Sequence, residues 1–251
     1  MKKILLILIY MSTLVLSFST SAKELKVGLA NDDYAPFYYE FSGEYRGAAL
    51  EVAKAVAETL GHKLIYIRAP WKRIQSYLRA GKIDMMILYM KTPERAVDVI
   101  FTDIPHIYES SDLFVLKKSL IKFEGALSDL KSYKFGNVRG YSHGTEYNNS
   151  ENLSKMQITN EEQLIRILIR GRIDIGVGNK PVIMRAAFHM GLIDEIRFLA
   201  PPIDAGANYI AFSKARKDAQ ELANQFSSQL KIYMKTDEYR AILKSYNFDY
   251  K

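Results

Sequence analysis

The chain alternates short apolar segments with amphipathic ones, and this alternation restricts the possible folds more than any other feature of the sequence. The segments LKVGLA (residues 25–30), KLIYIRA (63–69) and IDMMILYM (83–90) are short and apolar, which predicts three strands. Between them, AALEVAKAVAETLG and WKRIQSYLRAG carry apolar residues at helical spacing. The order strand, helix, strand, helix, strand is typical of a parallel sheet built from right-handed crossovers.

Three polar or turn-rich segments follow the carboxyl ends of these strands. They are NDDYAP after the first strand, PW after the second, and LYMKTPER at the end of the third. Ligands of open parallel sheets bind at the carboxyl ends of the strands. We therefore expect the three segments to converge on one crevice.

A weak internal repeat links two distant parts of the chain. RIQSYLRAGKIDMMI and QLIRILIRGRIDIGV align without gaps, so that Gly81 matches Gly171 and Asp84 matches Asp174. A glycine cap and a basic residue at a helix end explain the pattern within each copy. The presence of two copies indicates two similar α/β lobes in series.

The second α/β unit begins after DLFVLKKSL, an apolar strand that could cross between lobes. A strand over residues 134–138 is then expected, followed by a turn that contains Gly140, Ser142, Gly144 and Thr145. Backbone amides and hydroxyl groups at the start of a helix favour the binding of an anion. The turn lacks the lysine and the residue spacing of a P-loop, which argues against ATP or GTP as the ligand. Two amphipathic helices near the carboxyl terminus are expected to dock onto the first lobe.

The amino terminus has the pattern of an export signal. Two lysines precede an apolar run over residues 4–18, and small residues at 20–22 precede Lys23. A membrane anchor is the alternative, but the run is shorter than the ~20 residues that a spanning helix needs. We therefore predict a cleavable signal peptide over residues 1–22 and a protein of the periplasm.

Charge and cysteine content narrow the partners and the chemistry. Two of the seven surplus positive charges lie in the predicted signal peptide, and the others form no basic stripe, so nucleic acid is not indicated. The chain has no cysteine, which excludes disulfides, thiolate nucleophiles, cysteine-ligated metals and a lipid attachment site.

From about Leu25 to Tyr246 the chain resembles the bacterial extracellular solute-binding proteins of family 3. The motifs that carry the resemblance are YAPF, Gly47 followed by Glu51, Trp71 followed by GKID, TPER followed by FTDIP, DLKSYKFGNVRGYSHGTEY and GRIDIGVGNKPV. The resemblance implies an α/β, two-lobed periplasmic binding protein fold of type 2. Each lobe would be a mainly parallel sheet flanked by helices, and two hinge strands would lie near residues 109–117 and 205–212.

The same resemblance implies a domain division and a mode of action. Lobe 1 would comprise residues 23–112 and 209–251, and lobe 2 residues 113–208. The protein would act as a monomer that closes around a small anionic or zwitterionic ligand, with no cofactor, no metal and no catalytic residue. It would deliver the ligand to a membrane permease for ABC-type uptake, or its closed form to a sensor kinase or chemoreceptor.

The resemblance also implies a set of ligand-binding residues. Arg95 matches the family arginine that binds a ligand carboxylate, a role for which a planar guanidinium is well suited. Thr92 matches a family hydroxyl near the same carboxylate, with helix capping as the alternative. The other expected ligand-binding residues are Tyr34, Phe37, Trp71, Tyr89, Ser142, Gly144, Thr145 and Asn179.

Two departures from the family pattern bear on the ligand. The family's amino-acid binders usually carry a carboxylate at the position of Asn179, where it pairs with the ligand ammonium. LYMKTPER is also one residue shorter than the usual loop. We therefore expect a carboxylate or similar anion at Arg95, with the ligand's amine absent, differently placed, or paired with Asp32, Asp33 or Glu40.

An enzyme of the same fold is the alternative class, because a few such proteins are dehydratases. His106 and His143 are the histidines expected in the cleft, whereas His62 and His189 are expected to be structural. The sequence contains no nucleophile elbow and no metal-ligand pair. A binding protein is therefore the favoured interpretation.

Overall fold

A computed structural model describes residues 23–248 of the chain, so the predicted signal peptide lies outside the described residues. The strands are β1 (Glu24–Ala30), β2 (Tyr39–Phe41), β3 (Glu44–Arg46), β4 (Lys63–Ala69), β5 (Met85–Met90), β6 (Val99–Phe101), β7 (Ile107–Leu116), β8 (Lys134–Val138), β9 (Ser154–Ile158), β10 (Ile175–Gly178), β11 (Ile196–Phe198) and β12 (Asp204–Ser213). The helices are α1 (Ala48–Thr59), α2 (Trp71–Arg79), α3 (Pro93–Ala96), α4 (Thr145–Asn149), α5 (Glu161–Ile169), α6 (Lys180–His189), α7 (Ala219–Tyr233) and α8 (Asp237–Ser245), with 3-10 turns at Leu127–Leu130 and Ile193–Glu195.

The first lobe is built on the sheet β4-β1-β5-β12, with β6 beside β12. Strands β4, β1 and β5 run parallel and are connected by α1 and α2, which confirms the predicted order of strands and helices. Strand β12 is antiparallel to β5. The carboxyl-terminal helices α7 and α8 pack against α1, and α7 also contacts β12, as the sequence predicts. Phe37, Phe212 and Phe226 are fully buried in this core.

The second lobe repeats this plan with different residues. Its sheet has the order β7-β10-β8-β9, with β11 on the other side of β7. Strands β10, β8 and β9 are parallel, and β7 is antiparallel to β10. Each lobe is therefore a mainly parallel sheet with one antiparallel strand, flanked by helices, as expected from the resemblance.

Strands β7 and β12 belong to the connection between the lobes. The first half of β7 pairs with β12, where Ser111 lies opposite Asp204. The second half pairs with β10 and β11, where Asp112 lies opposite Gly178. Because β7 changes partners between two adjacent residues, the two lobes meet at the β7–β12 pair, which forms the two hinge strands.

The internal repeat has a common hydrogen-bond pattern in both lobes. The Asp84 carboxylate accepts from the backbone N–H of Lys26 at 2.7 Å, and the Asp84 N–H donates to the Lys26 carbonyl at 2.8 Å. Asp174 makes the same two bonds with Lys134, each at 2.8 Å. In each lobe the aspartate therefore attaches the strand that follows it to the neighbouring parallel strand.

Close packing explains the isoleucine that precedes each aspartate. A Cβ atom on Gly28 of β1 would lie 2.3 Å from Cδ1 of Ile83, and one on Gly136 of β8 would lie 2.5 Å from Cδ1 of Ile173. Both isoleucines are buried. A side chain at either glycine would displace the isoleucine. The two lobes therefore also share a glycine in the strand beside the repeated segment.

None of the helices in residues 23–248 is both long and apolar enough to cross a membrane.

The contacts of the two repeat aspartates predict that their removal lowers the free energy of unfolding by unequal amounts. Asp84→Ala is expected to lower the free energy of unfolding by about 2–3 kcal/mol, because Lys26 N–H loses its acceptor and Arg216 loses one of its two carboxylate partners. Asp174 is exposed and has no arginine partner among the described ion pairs, so Asp174→Ala should cost about 1 kcal/mol or less. Urea unfolding followed by circular dichroism measures both values. Equal losses would contradict this account.

Candidate functional site

A small cavity of about 30 Å³ lies where the two lobes and the hinge strands meet. Its wall consists of Tyr34, Tyr38, Trp71, Leu88, Met90, Arg95, Glu109, Tyr141, Ser142 and Asn208. The segments NDDYAP, PW and LYMKTPER each contribute to it, as the parallel-sheet interpretation predicts. Strands β7 and β12 contribute Glu109 and Asn208. A space of this volume is large enough for a few water molecules and much smaller than an amino acid.

A wider groove of about 900 Å³ lies beside the small cavity and shares part of its wall. The shared residues are Met90, Arg95, Tyr141 and Ser142. Four further predicted site residues line only the groove: Tyr89, Thr92, Gly144 and Thr145. Of the ten predicted ligand-binding residues, eight therefore line one or both of these neighbouring spaces.

The backbone carbonyl of Gly140 joins the two lobes across the cleft. It accepts hydrogen bonds from Trp71 Nε1 at 3.0 Å, from Arg95 Nη2 at 3.0 Å and from Gln75 Nε2 at 3.4 Å. All three donors belong to the first lobe, whereas Gly140 follows β8 of the second. The turn at Gly140 thus holds the lobes in a closed arrangement.

Local structure fixes the position of Arg95. It lies in α3, whose first turn is capped by the Thr92 hydroxyl, which accepts from Arg95 N–H at 3.3 Å. Its Nη1 donates to the Met90 carbonyl at 2.8 Å, and its guanidinium carbon lies 4.2 Å from the ring centre of Tyr89. Burial lowers the pKa of Arg95, but an arginine remains protonated in a protein. Thr92 therefore has the capping role that was the alternative to direct ligand contact.

Aromatic rings form much of the cavity wall. Tyr34 stacks on Tyr38 with 5.9 Å between ring centres, and it meets the ring of Tyr141 edge-on at 5.7 Å. Trp71 meets Tyr141 edge-on at 5.5 Å. Since Tyr141 belongs to the second lobe and the other rings to the first, the aromatic contacts also cross the cleft.

Glu109 is a site residue that the sequence analysis named only as the start of a hinge strand. Its carboxylate accepts hydrogen bonds from the Tyr34 hydroxyl and from Asn208 Nδ2, the latter at 3.0 Å. Burial raises its pKa to about 7, although these two donors and the charge of Arg95 act in the opposite direction. The signal in the sequence was an acidic residue in a predicted hinge strand, which has to pass the cleft.

Two predicted site residues lie outside the walls of both spaces. Phe37 is fully buried and packs against Phe248, with 5.1 Å between ring centres. Asn179 caps α6 by accepting from Val182 N–H, and its Nδ2 donates to the Ser110 carbonyl at 3.1 Å. Its amide therefore holds the start of α6 against β7, and the expected contact of Asn179 with the ligand stays a prediction.

The three acids expected near the ligand amine are also elsewhere. Asp33 pairs with Arg68 at 2.6 Å, and Glu40 lies 3.8 Å from the same guanidinium. Asp32 is exposed, and it lines neither space. These acids therefore lie outside the walls of both spaces, and their pairing with a ligand amine stays a prediction.

The glycine-containing turn of the second lobe is organised by Asn148. Its Oδ1 accepts from His143 N–H at 3.0 Å, and its Nδ2 donates to Ser142 Oγ at 2.7 Å. The backbone N–H of His143, which is in the turn expected to bind an anion, thus already donates to Asn148. Gly144 has a φ of 86°, a conformation that favours glycine.

The two histidines expected in the cleft are buried beside it. His106 and His143 line neither space, and burial lowers the pKa of each to about 4, so both are neutral at pH 7. The described part of the chain contains no group of three or more histidine, cysteine or acidic residues placed to hold a metal ion. The cavity wall contains one guanidinium, one carboxyl group, one amide, hydroxyl groups and aromatic rings.

Comparison with known proteins identifies relatives along nearly the whole described chain. The family model described as bacterial extracellular solute-binding proteins, family 3, matches residues 25–249. The probable amino-acid-binding protein YxeM of Bacillus subtilis (strain 168) is 27% identical over 212 residues, which are 81% of this chain and 77% of that protein.

Two solved structures share the two-lobed fold. A histidine kinase sensor domain with similarity to periplasmic binding proteins is 24% identical, with a TM-score of 0.74 over 89% of this chain and 95% of that one. An ancestral amino acid-binding protein, a precursor of cyclohexadienyl dehydratase, is 25% identical, with a TM-score of 0.70 over 89% of this chain and 95% of that one. These proteins have the fold of type 2 periplasmic binding proteins.

The raised pKa of Glu109 predicts a dependence of stability on pH. Between about pH 4.5, its ordinary value, and about pH 7, the folded protein keeps a proton that the unfolded chain has released. This group therefore makes the free energy of unfolding fall as pH rises through that window, by about 1–3 kcal/mol in total. Glu109→Gln is expected to remove this contribution.

The measurement is the difference in unfolding free energy between Glu109→Gln and the wild type, from urea titrations at several pH values between 4 and 8. The difference is needed because two buried histidines also make stability depend on pH in this window. The lowered pKa values of His106 and His143 make the free energy of unfolding rise with pH, which is opposite to the effect of Glu109. Parallel curves for variant and wild type would refute the assignment.

Proposed function

Because the chain belongs to the bacterial extracellular solute-binding proteins, family 3, we propose that it is a receptor whose lobes close around a small carboxylate-bearing ligand. The ligand would be an amino acid or a related organic acid. The observation that carries the proposal is the meeting of Arg95 and Trp71 with the Gly140 turn in one cavity between two lobes.

Arg95 supports the choice of a carboxylate. A guanidinium has five N–H donors, and Arg95 uses two of its terminal nitrogens for the neutral carbonyls of Met90 and Gly140. Hydrogen bonds from a guanidinium to a carboxylate are charge-assisted and about twice as strong as bonds between neutral groups. A ligand carboxylate would therefore compete well for the donors that now bond Gly140.

The size of the cavity and the position of the hinge support closure around the ligand. At about 30 Å³, the space must widen before an amino acid can enter. Within residues 23–248 the chain passes between the two sheets only along β7 and before β12, so a rotation about this pair would open the cleft. The ligand would favour the closed form by binding it more tightly than the open form.

We propose that the receptor delivers its ligand to a membrane permease for ABC-type uptake. Its relative YxeM, a probable amino-acid-binding protein, supports the ligand class. Coupling to a sensor kinase is the second candidate, since a histidine kinase sensor domain has the same fold. In either case residues 1–22 would direct export to the periplasm, the protein would act as a monomer, and residues 113–208 would form lobe 2.

Catalysis is the less favoured alternative. It is supported by the ancestral amino acid-binding protein of the same fold, which is described as a precursor of cyclohexadienyl dehydratase. In the present chain, the histidines nearest the cleft line neither the cavity nor the groove. Turnover of prephenate-like acids by the purified protein, abolished by His143→Ala, would reverse the choice.

Arg95→Ala is expected to weaken binding at least about 100-fold for any carboxylate ligand found by screening L-amino acids and organic acids, because a desolvated charge pair is lost. Arg95→Lys should weaken it less, since the charge remains but the planar fork is lost. Isothermal titration calorimetry measures each affinity. The matched control is Arg79→Ala, which removes a groove arginine that pairs with Asp98 near the surface. Equal losses for Arg79→Ala and Arg95→Ala would contradict the proposed role.

Trp71 provides a direct reporter of closure, because it is the only tryptophan in the sequence. Ligand is expected to shift its emission and to reduce its quenching by acrylamide, since closure places the indole between Tyr89 and Tyr141 and bonds it to Gly140. A fluorescence titration should give the same dissociation constant as calorimetry. Binding detected by heat with no change in quenching would argue against closure as the response.

A further inference from the structure

Glu109 is a charged group in the cavity wall whose hydrogen-bond partners are neutral. The Tyr34 hydroxyl and the Asn208 amide bond its carboxylate, and none of the ion pairs in residues 23–248 includes it. A carboxylate removed from bulk water is costly unless a cation compensates it. The geometry thus leaves a binding position for a positive group beside Glu109.

Arg95 lies in the wall of the same cavity and supplies the opposite charge. The cavity is therefore lined by one guanidinium and one carboxyl group, and the remaining residues of its wall are uncharged at pH 7. A purely anionic ligand would be attracted by Arg95 and repelled by an ionised Glu109. A zwitterion would be attracted by both.

The aromatic rings favour the same type of ligand. The Tyr34 hydroxyl donates to Glu109, and the Tyr34 ring lies against the rings of Tyr38 and Tyr141, so aromatic side chains form this part of the cavity wall. Cations are stabilised by aromatic faces within about 6 Å. The surroundings of Glu109 therefore combine a carboxylate and aromatic rings, and both of these stabilise a cationic nitrogen.

Asn179 does not provide this function. Its amide is committed to the cap of α6 and to Ser110, and it lies outside the cavity wall. Glu109 is on the hinge strand β7, opposite Gly206 of β12 and bonded to Asn208 of β12. A ligand bound to Glu109 would therefore contact the hinge itself.

We propose that Glu109 binds the cationic nitrogen of a zwitterionic ligand whose carboxylate lies on Arg95. Glu109 is then the residue that distinguishes amino acids from acids without an amine. This inference rests on the proposed receptor function, and it restricts the ligand class to molecules that carry both groups.

Matched pairs of probes test the inference on the wild-type protein. L-Arginine is paired with 5-guanidinopentanoate, L-leucine with 4-methylpentanoate, L-phenylalanine with 3-phenylpropanoate, and L-glutamate with glutarate. Each second member lacks only the α-amine. For every pair with a binding member, calorimetry should show that removal of the amine weakens binding at least about tenfold.

Variants then assign this discrimination to one residue. Glu109→Gln should weaken the amino acid at least about tenfold and leave its amine-free partner unchanged or tighter, because a neutral amide no longer repels the acid. Circular dichroism checks that the Glu109→Gln variant is folded. The comparison of probes on the wild-type protein does not depend on the folding of this variant. Glu161→Gln is the control, since Glu161 is a buried carboxyl with a pKa also raised to about 7 by burial but lies outside the cavity wall.

The possible outcomes separate the two proposals. Equal affinity for both members of a pair, or full discrimination in Glu109→Gln, would overturn the role of Glu109 while leaving the receptor function intact. Loss of discrimination in Glu161→Gln as well as in Glu109→Gln would also overturn it. If Arg95→Ala did not change the affinity for a ligand whose binding Glu109→Gln weakens, the role of Arg95 in binding the carboxylate would be refuted instead.

Discussion

The antiparallel pairing of β7 with β12 is the interaction on which the rest of the structure depends. Strand β7 pairs with β12 in the first lobe and with β10 in the second, so a single strand carries the hydrogen bonds of both sheets. The carboxyl ends of the parallel strands in each lobe face the place where this strand passes between them. The cavity is therefore formed at the hinge, and any movement that widens it must alter the geometry of these two strands.

The two lobes share a local construction but contribute different chemistry to the cleft. Asp84 and Asp174 make the same two backbone bonds, and the preceding isoleucines pack on strand glycines in the same way. The loops at the other ends of the strands have no such constraint. These loops carry Trp71 and Arg95 in the first lobe and the Gly140 carbonyl in the second. The repeated strands and helices thus form a rigid scaffold, and the loops supply the functional groups.

The wall of one small cavity contains both a guanidinium and a carboxyl group. Arg95 is held by backbone carbonyls and by the ring of Tyr89, whereas Glu109 is held by the side chains of Tyr34 and Asn208. The Gly140 carbonyl now accepts the hydrogen bonds that a ligand carboxylate would accept. Exchange of this neutral acceptor for a charged one would give Arg95 a stronger, charge-assisted hydrogen bond, which favours ligand binding.

The order of strands and helices, the two-lobed plan and the convergence of Tyr34, Trp71 and Arg95 can be predicted from the sequence alone. These follow from periodicity, from turn residues and from the rule that parallel strands end at one edge. The cap that Asn179 forms, the place of Phe37 in the core, and the presence of Glu109 and Arg95 in one cavity wall are visible only in the folded chain. The physical reason is that Glu109 owes its environment to Tyr34 and Asn208, which are 75 and 99 residues away along the chain. No local pattern encodes such a meeting, because it arises when the hinge strands bring the two lobes together.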